Sequence, residues 1–349
     1  MLLRRVGDRG VSLFSSALLR ERIRADDPFF DNDNRPLSPL PNIEPLRDAA
    51  VADRFRNITV WLIVISSIVA AAMEAVVRVR VDPGETYVLE WLIAALLSVS
   101  LMWSGRSQLR RVSDAMGALG LAWLGGMTGG IIAMLELRLH YPLADPMLRS
   151  WDLALGIDGL AIVDMLIRQG QWIFKIMALA YNYTLALFFV GIILLALIGD
   201  RVEAWRASLC FVGTLFTTCV IAVFVPAKGL GMWASQALFD RLPAHAMRSF
   251  WPHFDDFYSG AAPVLRLQAI DGVISFPSFH SVVGFLVLAM WRRNRITLLA
   301  AAAWLFFMLL ATLPGGGHYV VDLIGGFAVW AAWFGLSRRI ERRAVGSVP

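Results

Sequence analysis

The chain reads PGGGHYVVD at residues 314–322, and an apolar run continues from this stretch to Leu336. The run has the length and composition of a helix that crosses a membrane. His318 is therefore predicted at the N-terminus of a helix, where free backbone N–H groups and the helix dipole favour phosphate. Asp322 follows four residues later and is expected on the same helical face. Its carboxylate can hold one imidazole nitrogen and leave the other free to attack.

A second histidine motif precedes a neighbouring apolar run, since residues 275–280 read SFPSFH. Between His280 and His318 the chain has one apolar run, a basic turn at 292–295 and a second apolar run. One span leads away and the next leads back. Both histidines are therefore predicted at the same face of the membrane.

The composition identifies a membrane protein that crosses the bilayer several times. Of the 349 residues, 58% are hydrophobic and 17% charged, and the mean hydropathy is +0.62. Soluble chains are nearer half apolar and a quarter charged. The net charge of +5 comes from basic residues in short loops between apolar runs. This pattern controls membrane topology and predicts no nucleic-acid partner.

The apolar runs predict an all-α fold with about eight transmembrane helices. They lie at about 58–77, 87–104, 115–137, 172–198, 207–225, 277–291, 297–313 and 319–336. Residues 1–57 are predicted to form a cytoplasmic N-terminal segment, in which 11–24 forms either an amphipathic surface helix or part of a disordered tail. Residues 338–349 are predicted to form a basic cytoplasmic tail.

Arginine-rich loops alternate with loops that carry fewer cations. The basic stretches at 106–111, 201–206, 292–295 and 338–343 all fall on the side of the basic N-terminus. The positive-inside rule therefore places both termini in the cytoplasm. The active site is then predicted on the outer, periplasmic or extracellular, face.

Two histidines and a carboxylate at one face fit phosphoryl transfer through a covalent intermediate. His318, oriented by Asp322, would attack phosphorus, and His280 would protonate the leaving alkoxide. His280 would then deprotonate the incoming water or hydroxyl. The other histidines, His140, His245 and His253, are predicted to be surface residues without a carboxylate partner.

Groups close to the histidines would hold the phosphate oxygens. Backbone N–H groups at Gly316 and Gly317 and the hydroxyls of Ser275 and Ser278 are the candidates. This chemistry requires no metal and no cofactor. The competing interpretation is a metal site with two histidines and one carboxylate, which would predict loss of activity on chelation.

SFPSFH, followed after a pair of spans by GHYVVDLIGG, resembles the type-2 phosphatidate phosphatase superfamily. More narrowly it resembles the branch with inositol phosphorylceramide synthases and their bacterial relatives, with sphingomyelin synthases more distant. The resemblance implies a six-helix catalytic core at 115–337, preceded by two additional spans at 58–114, in a bacterial inner membrane. It also implies a nucleophilic His318 with Asp322, and an acid/base His280.

The chain departs from the phosphatase pattern in its cations. Those enzymes have an arginine six residues before the nucleophile, where this chain has Thr312. They also have a lysine followed by Arg-Pro, whereas residues 223–229 read VFVPAKG. Lys228 is the best candidate for a phosphate-binding cation, although a helix-end lysine with its ammonium in the headgroup layer is the alternative. Fewer cations suit a phosphodiester, which carries less charge than a monoester.

The hypothesis that follows is transfer of a phospholipid headgroup to a lipid or polyol hydroxyl. Tyr181 and Asn182, inside the fourth span, are candidates for headgroup contacts or for helix packing. Arg266 is a candidate for the missing charge. The alternatives are a lipid or polyprenyl-diphosphate phosphatase, and a catalytically inactive lipid-binding transporter or scaffold.

Overall fold

The computed structural model describes residues 44–84 and 87–345. The surface helix predicted at 11–24 lies outside these residues. The helices are α1 (Glu44–Val77), α2 (Tyr87–Trp103), α3 (Arg110–Glu136), α4 (Asp145–Ala154), α5 (Gly159–Arg168), α6 (Gln171–Leu197), α7 (Arg201–Ala222), α8 (Gln236–Phe239), α9 (Trp251–Tyr258), α10 (Phe279–Met290), α11 (Arg295–Ala311) and α12 (Val320–Val345). Short 3₁₀ turns lie at Ser107–Leu109, Leu137–Leu139, Leu230–Trp233 and Leu267–Ala269, and one π turn lies at Thr312–Gly316.

The predicted all-α membrane fold is confirmed. Helices α1, α3, α6, α7, α11 and α12 are long and apolar enough to cross a membrane, and α2 and α10 contain shorter apolar helices. A helix is therefore present at each of the eight predicted spans. The strands β1 (Arg80–Asp82) and β2 (Val264–Arg266) were not predicted, and they form one parallel pair.

Two helices extend beyond the predicted boundaries of the spans. Helix α1 begins at Glu44 instead of near 58, and α12 continues to Val345 instead of ending near 336. Both extensions contain several arginines, which favour helix but are too polar for the apolar run that marked each span. Hydropathy locates the part of a helix that lies in lipid and does not locate its ends.

Polar side chains fix where three of the core helices begin. Asp200 accepts a hydrogen bond from Glu203 N at the start of α7, and Ser278 accepts one from Ser281 N at the start of α10. Asn294 accepts hydrogen bonds from the first turn of α11. Such caps satisfy N–H groups that the helix itself leaves free. The cap at Ser278 places His280 in the first turn of α10.

Helix α3 packs against α2, α6 and α7, and α10 packs against α6, α7, α11 and α12. The core between them contains Trp205, Phe188 and Phe211, all buried. The Phe188 and Phe211 rings stack with their centroids 4.9 Å apart. Large apolar side chains on the outside of α1 and α6, such as Trp61 and Trp172, are exposed, as expected for helices that face lipid.

The bundle has two chemically different ends. The basic end contains the starts of α3 and α7 and the residues after α10, where Arg201 contacts Asp114 at 3.0 Å. Late in α12, Glu341 contacts Arg206 of α7 at 3.0 Å. The predicted gathering of the basic loops at one end is therefore confirmed, whereas the side of the membrane on which they lie stays a prediction. The histidine end contains the starts of α10 and α12 and the segments 137–170 and 223–278.

Candidate active site

The two motif histidines meet at the histidine end. His280 lies in the first turn of α10, and His318 lies two residues before α12 begins. The centroids of their rings are 5.8 Å apart, and the ring planes are inclined at 67°. The prediction that the intervening pair of spans returns both rings to one face is confirmed.

The ring of His318 is fixed through its Nδ1 atom. That nitrogen lies 3.3 Å from Asp322 Oδ2 and 3.1 Å from the carbonyl oxygen of Ser275. Both neighbours are acceptors, so Nδ1 carries the proton and Nε2 has the free lone pair. Ser278 Oγ lies 3.3 Å from Nε2. The buried ring therefore presents a nucleophilic nitrogen next to a hydroxyl group.

Asp322 is held by neutral donors. Its Oδ2 atom accepts hydrogen bonds from Ser275 Oγ at 2.7 Å and from Tyr319 N at 2.9 Å. Its Oδ1 atom is buried without a hydrogen-bond partner among the described residues. The hydroxyl of Ser275, predicted to bind phosphate, therefore donates to the carboxylate that orients His318. Ser278 is the serine whose hydroxyl lies next to the nucleophilic nitrogen.

Gly316 and Gly317 leave room for neighbouring groups that any larger side chain would meet. A Cβ atom on Gly316 would lie 2.7 Å from the hydroxyl of Tyr181 and 3.2 Å from His318 Nε2. Gly317 has a φ of +69°, and a Cβ atom there would lie 2.9 Å from the carbonyl oxygen of Met247. Glycine is the residue that meets both conditions without strain.

The N-terminus of α12 already holds an anion, the carboxylate of Asp152. Its two oxygens accept hydrogen bonds from Val320 N at 2.9 Å and Val321 N at 2.8 Å. The N–H groups of residues 317 and 318 donate to the carbonyls of residues 313 and 312. The expectation of free N–H groups for phosphate is therefore wrong at these positions, because a protein carboxylate and the preceding turn use them.

Asp145 connects the loop before α12 to the loop after α7. Its carboxylate accepts from Lys228 N at 3.0 Å, Gly229 N at 2.7 Å and the hydroxyl of Tyr319 at 2.9 Å. Burial raises the pKa of Asp145 and of Asp152, and hydrogen bonds to their carboxylates oppose the shift. Sequence reasoning missed both roles. The available signal was their position two turns apart, on one face of a helix that Pro146 helps to start.

An apolar cavity of about 530 Å³ opens between α3, α6, α7 and α10. Most of its walls are apolar, and its polar lining includes Tyr181, Asn182, Asp271 and His280. His318 does not line it. The two histidines thus differ in their access to this space. The cavity also contains two of the three residues predicted to contact a headgroup.

The predicted cations lie away from the imidazoles. Lys228 Nζ pairs with Asp255 Oδ2 at 2.9 Å and lies 4.5 Å from the centroid of the Trp251 ring. Arg266 is exposed on β2, outside the cavity lining. Among the residues that the structure describes, no lysine or arginine hydrogen-bonds or ion-pairs with His280, His318 or Asp322.

A second histidine–carboxylate pair lies at the edge of the cavity. His253 Nδ1 is 3.2 Å from Asp271 Oδ2. The prediction that His253 has no carboxylate partner is therefore wrong, because the loop after β2 brings Asp271 back to α9. Within 44–84 and 87–345, no group of three or more His, Cys, Asp or Glu side chains is arranged to hold a metal ion.

The sequence profile of the PAP2 superfamily matches residues 146–336, which is more than half of the chain. No curated protein and no solved structure matches the chain. The matched region contains both histidine motifs, Asp322, and Asp152, which binds the N-terminus of α12. The chain therefore belongs to the PAP2 superfamily, and it is an integral membrane enzyme of the phosphatase type.

Proposed function

We propose that this enzyme transfers the phosphate-bearing headgroup of a phospholipid to a lipid or polyol hydroxyl through a phosphohistidine at His318. The observation that carries the proposal is the pair of imidazoles beside an apolar cavity. One ring has a free Nε2 lone pair next to Ser278, and the other ring, of His280, borders the cavity.

In the first half-reaction, His318 Nε2 attacks the phosphorus of the donor, and the bond between phosphorus and the oxygen of the lipid alcohol breaks. Protonated His280 gives its proton to the leaving alkoxide. Asp322 and the carbonyl of Ser275 stabilise the positive charge on the His318 ring through Nδ1–H. The products are a free lipid alcohol and a headgroup phosphate bonded to Nε2.

In the second half-reaction, neutral His280 removes the proton of an incoming hydroxyl, and its oxygen attacks phosphorus. The bond between phosphorus and Nε2 breaks, and His318 returns to its resting form with Nδ1 protonated. Because the apolar cavity borders His280, the alcohol that leaves and the alcohol that enters have room for apolar chains. This arrangement supports a lipid as leaving group.

The distribution of charge favours a phosphodiester donor. The ammonium of Lys228 is paired with Asp255, and the position of the family arginine is occupied by Thr312, whose hydroxyl donates to Leu309 O. A diester carries close to one negative charge and a monoester close to two. A site whose nearest donors are neutral hydroxyls and imidazoles suits the smaller charge.

The test offers the purified enzyme phospholipids labelled with ³²P in the headgroup phosphate, with ceramide, diacylglycerol, a polyol or no acceptor. We expect a labelled acceptor, and no product from His318→Gln. The matched control is His245→Asn, an exposed histidine with a φ of +65°, a conformation that asparagine tolerates. Trapping of labelled phosphohistidine in single-turnover experiments would identify the intermediate.

Other outcomes would select the alternatives. Rapid release of inorganic phosphate from lipid or polyprenyl monoesters, without headgroup movement, would make the protein a phosphatase. Saturable lipid binding without turnover would make it a transporter or scaffold. Loss of activity with a chelator and its return with a divalent metal would replace the phosphohistidine by a metal site.

A further inference from the structure

Tyr181 packs against His280 and borders the same small space as His318. Its ring stacks on the His280 ring with centroids 4.2 Å apart and an angle of 17° between the planes. Its hydroxyl lies 3.5 Å from His280 Nδ1. The same hydroxyl and His318 Nε2 both border the small space that the missing side chain of Gly316 leaves. One phenol group therefore contacts the acid/base and reaches the side of the nucleophile.

That hydroxyl lies beside the place where phosphate has to lie. A phosphorus atom that bonds to His318 Nε2 needs room next to this nitrogen, and the space beside Gly316 borders it. The alkoxide oxygen has to lie near His280 for proton transfer. A phosphoryl group between the two rings then places a non-bridging oxygen next to the Tyr181 hydroxyl.

Few other donors can hydrogen-bond to the non-bridging phosphoryl oxygens. The N–H groups of residues 317–321 donate to protein acceptors. Lys228 pairs with Asp255, and the hydroxyl of Ser275 donates to Asp322. Ser278 provides one remaining hydroxyl, next to Nε2, and Tyr181 provides another, beside Gly316. A phosphoryl group needs donors where its charge increases in the transition state.

We propose that Tyr181 is a catalytic residue whose hydroxyl donates a hydrogen bond to a non-bridging phosphoryl oxygen, while its ring holds His280 by stacking. No bond to Tyr181 is made or broken, and its proton stays on the phenol. The proposal rests on phosphoryl transfer at His318, and it does not depend on whether the acceptor is a lipid, a polyol or water.

The test separates the hydroxyl from the ring. Tyr181→Phe keeps the stacked ring and removes the donor, so kcat should fall roughly 10²-fold with little change in KM. Tyr181→Leu removes both the ring and the hydroxyl, so its kcat should fall further. Tyr183→Phe is the matched control, because Tyr183 is on the same helix with 57% of its surface exposed. Thermal unfolding of each variant, measured in the same detergent, checks the fold.

Orthovanadate binding gives a readout that needs no turnover, because vanadate adopts the five-coordinate geometry of a phosphoryl transition state. The wild type should bind it at least about tenfold more tightly than Tyr181→Phe, if the hydroxyl donates to an equatorial oxygen. Wild-type kcat and vanadate affinity in Tyr181→Phe, with losses confined to Tyr181→Leu, would reduce Tyr181 to a packing residue and overturn the inference.

The same measurements distinguish the two proposals. If the wild type transfers headgroups and Tyr181→Phe equals it, only the role of Tyr181 fails. If the wild type moves no headgroup but binds vanadate through the Tyr181 hydroxyl, the donor and acceptor were misassigned and the role of Tyr181 stands. If the wild type neither binds vanadate nor forms phosphohistidine, both fail.

Discussion

The two ends of the bundle bury carboxylates in opposite ways. At the histidine end, Asp152 and Asp322 are held by backbone N–H groups, hydroxyls and one imidazole. At the basic end, Asp114 and Glu203 are held by arginines, with Arg292 Nη2 2.7 Å from Glu203 Oε1. The same side-chain type therefore has neutral partners in one place and cationic partners in the other.

Neutral donors and arginines do different things to a buried carboxylate. A neutral donor fixes the direction of a carboxylate and leaves its charge available to the imidazole that becomes positive in the proposed reaction. An arginine cancels that charge and ties two helices together, at the cost of desolvating both groups. The histidine end is therefore built for chemistry and the basic end for cohesion. Substitutions at the two ends should affect different measurements.

The largest effect is expected from Asp322→Asn. The amide presents an N–H₂ group or a weaker acceptor where Nδ1–H of His318, Ser275 Oγ and Tyr319 N all donate to one oxygen. The ring then loses its fixed tautomer, and kcat should fall roughly 10³- to 10⁴-fold. Single-turnover formation of phosphohistidine measures the loss directly.

Asp114→Asn is the matched change at the basic end. Asp114 accepts from Trp205 Nε1 at 2.8 Å and contacts Arg201. Its replacement should lower thermal stability and leave kcat per folded molecule within about threefold of the wild type, since no catalytic group touches it. A fall in kcat comparable to that of Asp322→Asn would show that the basic end transmits its geometry to the histidines.

Arg206→Met should give the next largest effect, on stability alone. Arg206 is 2% exposed and contacts both Glu203 and Glu341. Without the guanidinium, Glu203 keeps Arg292 and Glu341 keeps Arg338, but the buried charge of Glu203 is less fully compensated. The loss should therefore lie below the roughly 3–5 kcal/mol that removing the sole partner of a buried charge costs. Denaturant or thermal unfolding in one fixed detergent measures it.

Arg206→Met combined with Glu203→Gln tests the cause of that loss. If the uncompensated charge is responsible, the double variant should recover part of the lost stability. Equal stability of the single and double variants would assign the loss to packing, because the guanidinium also lies over the rings of Phe55 and Phe334.

The sequence was sufficient for the fold and for the meeting of the histidines, because span length and hydrophobicity determine how a chain returns to one face. Because one pair of spans separates His280 from His318, the chain has little freedom in where it places the second ring relative to the first. It was not sufficient for Asp152, because the spacing of Asp145 and Asp152 on one helical face does not show which distant helix N-terminus the carboxylate binds. The role of Ser275 was mistaken for the same reason, since its partner Asp322 is set by tertiary packing.

Lys228 shows another limit of sequence reasoning. Its position near the end of α7 indicated a cation, but the direction of a long flexible side chain depends on which acid lies nearby. Asp255 comes from α9, a short helix that the apolar pattern did not predict. The stacking of Tyr181 on His280 was equally invisible, because it depends on how α6 is rotated against α10.

Asp152→Asn should reduce activity by a smaller factor than Asp322→Asn. The amide keeps one acceptor oxygen for the first turn of α12 and replaces the other with a donor that faces an N–H group. Losing this hydrogen bond to the first turn of α12 costs about 1–2 kcal/mol. If the loop that contains His318 shifts as a result, kcat should fall roughly tenfold. Asp158→Asn, which changes an exposed cap of α5, is the control.

The values of kcat and of the thermal midpoint separate the possible causes. A fall in kcat for Asp152→Asn with an unchanged thermal midpoint supports a role in positioning His318. A lower midpoint with wild-type kcat in the folded fraction would make Asp152 a structural cap and nothing more.

The smallest effect is expected from Lys228→Met. An ion pair between partly exposed side chains contributes about 0.2–1 kcal/mol, so kcat/KM should fall less than about fivefold. If the lysine bound the phosphate oxygens, its replacement would lower kcat/KM far more.

The Asp255→Asn variant separates the two roles of Lys228. If the pair with Asp255 is the resting role, Lys228→Met and Asp255→Asn should have similar small effects. If Lys228 moves to the phosphate during turnover, Asp255→Asn should free the ammonium and raise affinity for substrate, whereas Lys228→Met should raise KM at least tenfold. Measuring KM for both variants with one phospholipid donor therefore decides whether the Lys228 ammonium moves from Asp255 to the phosphate during turnover.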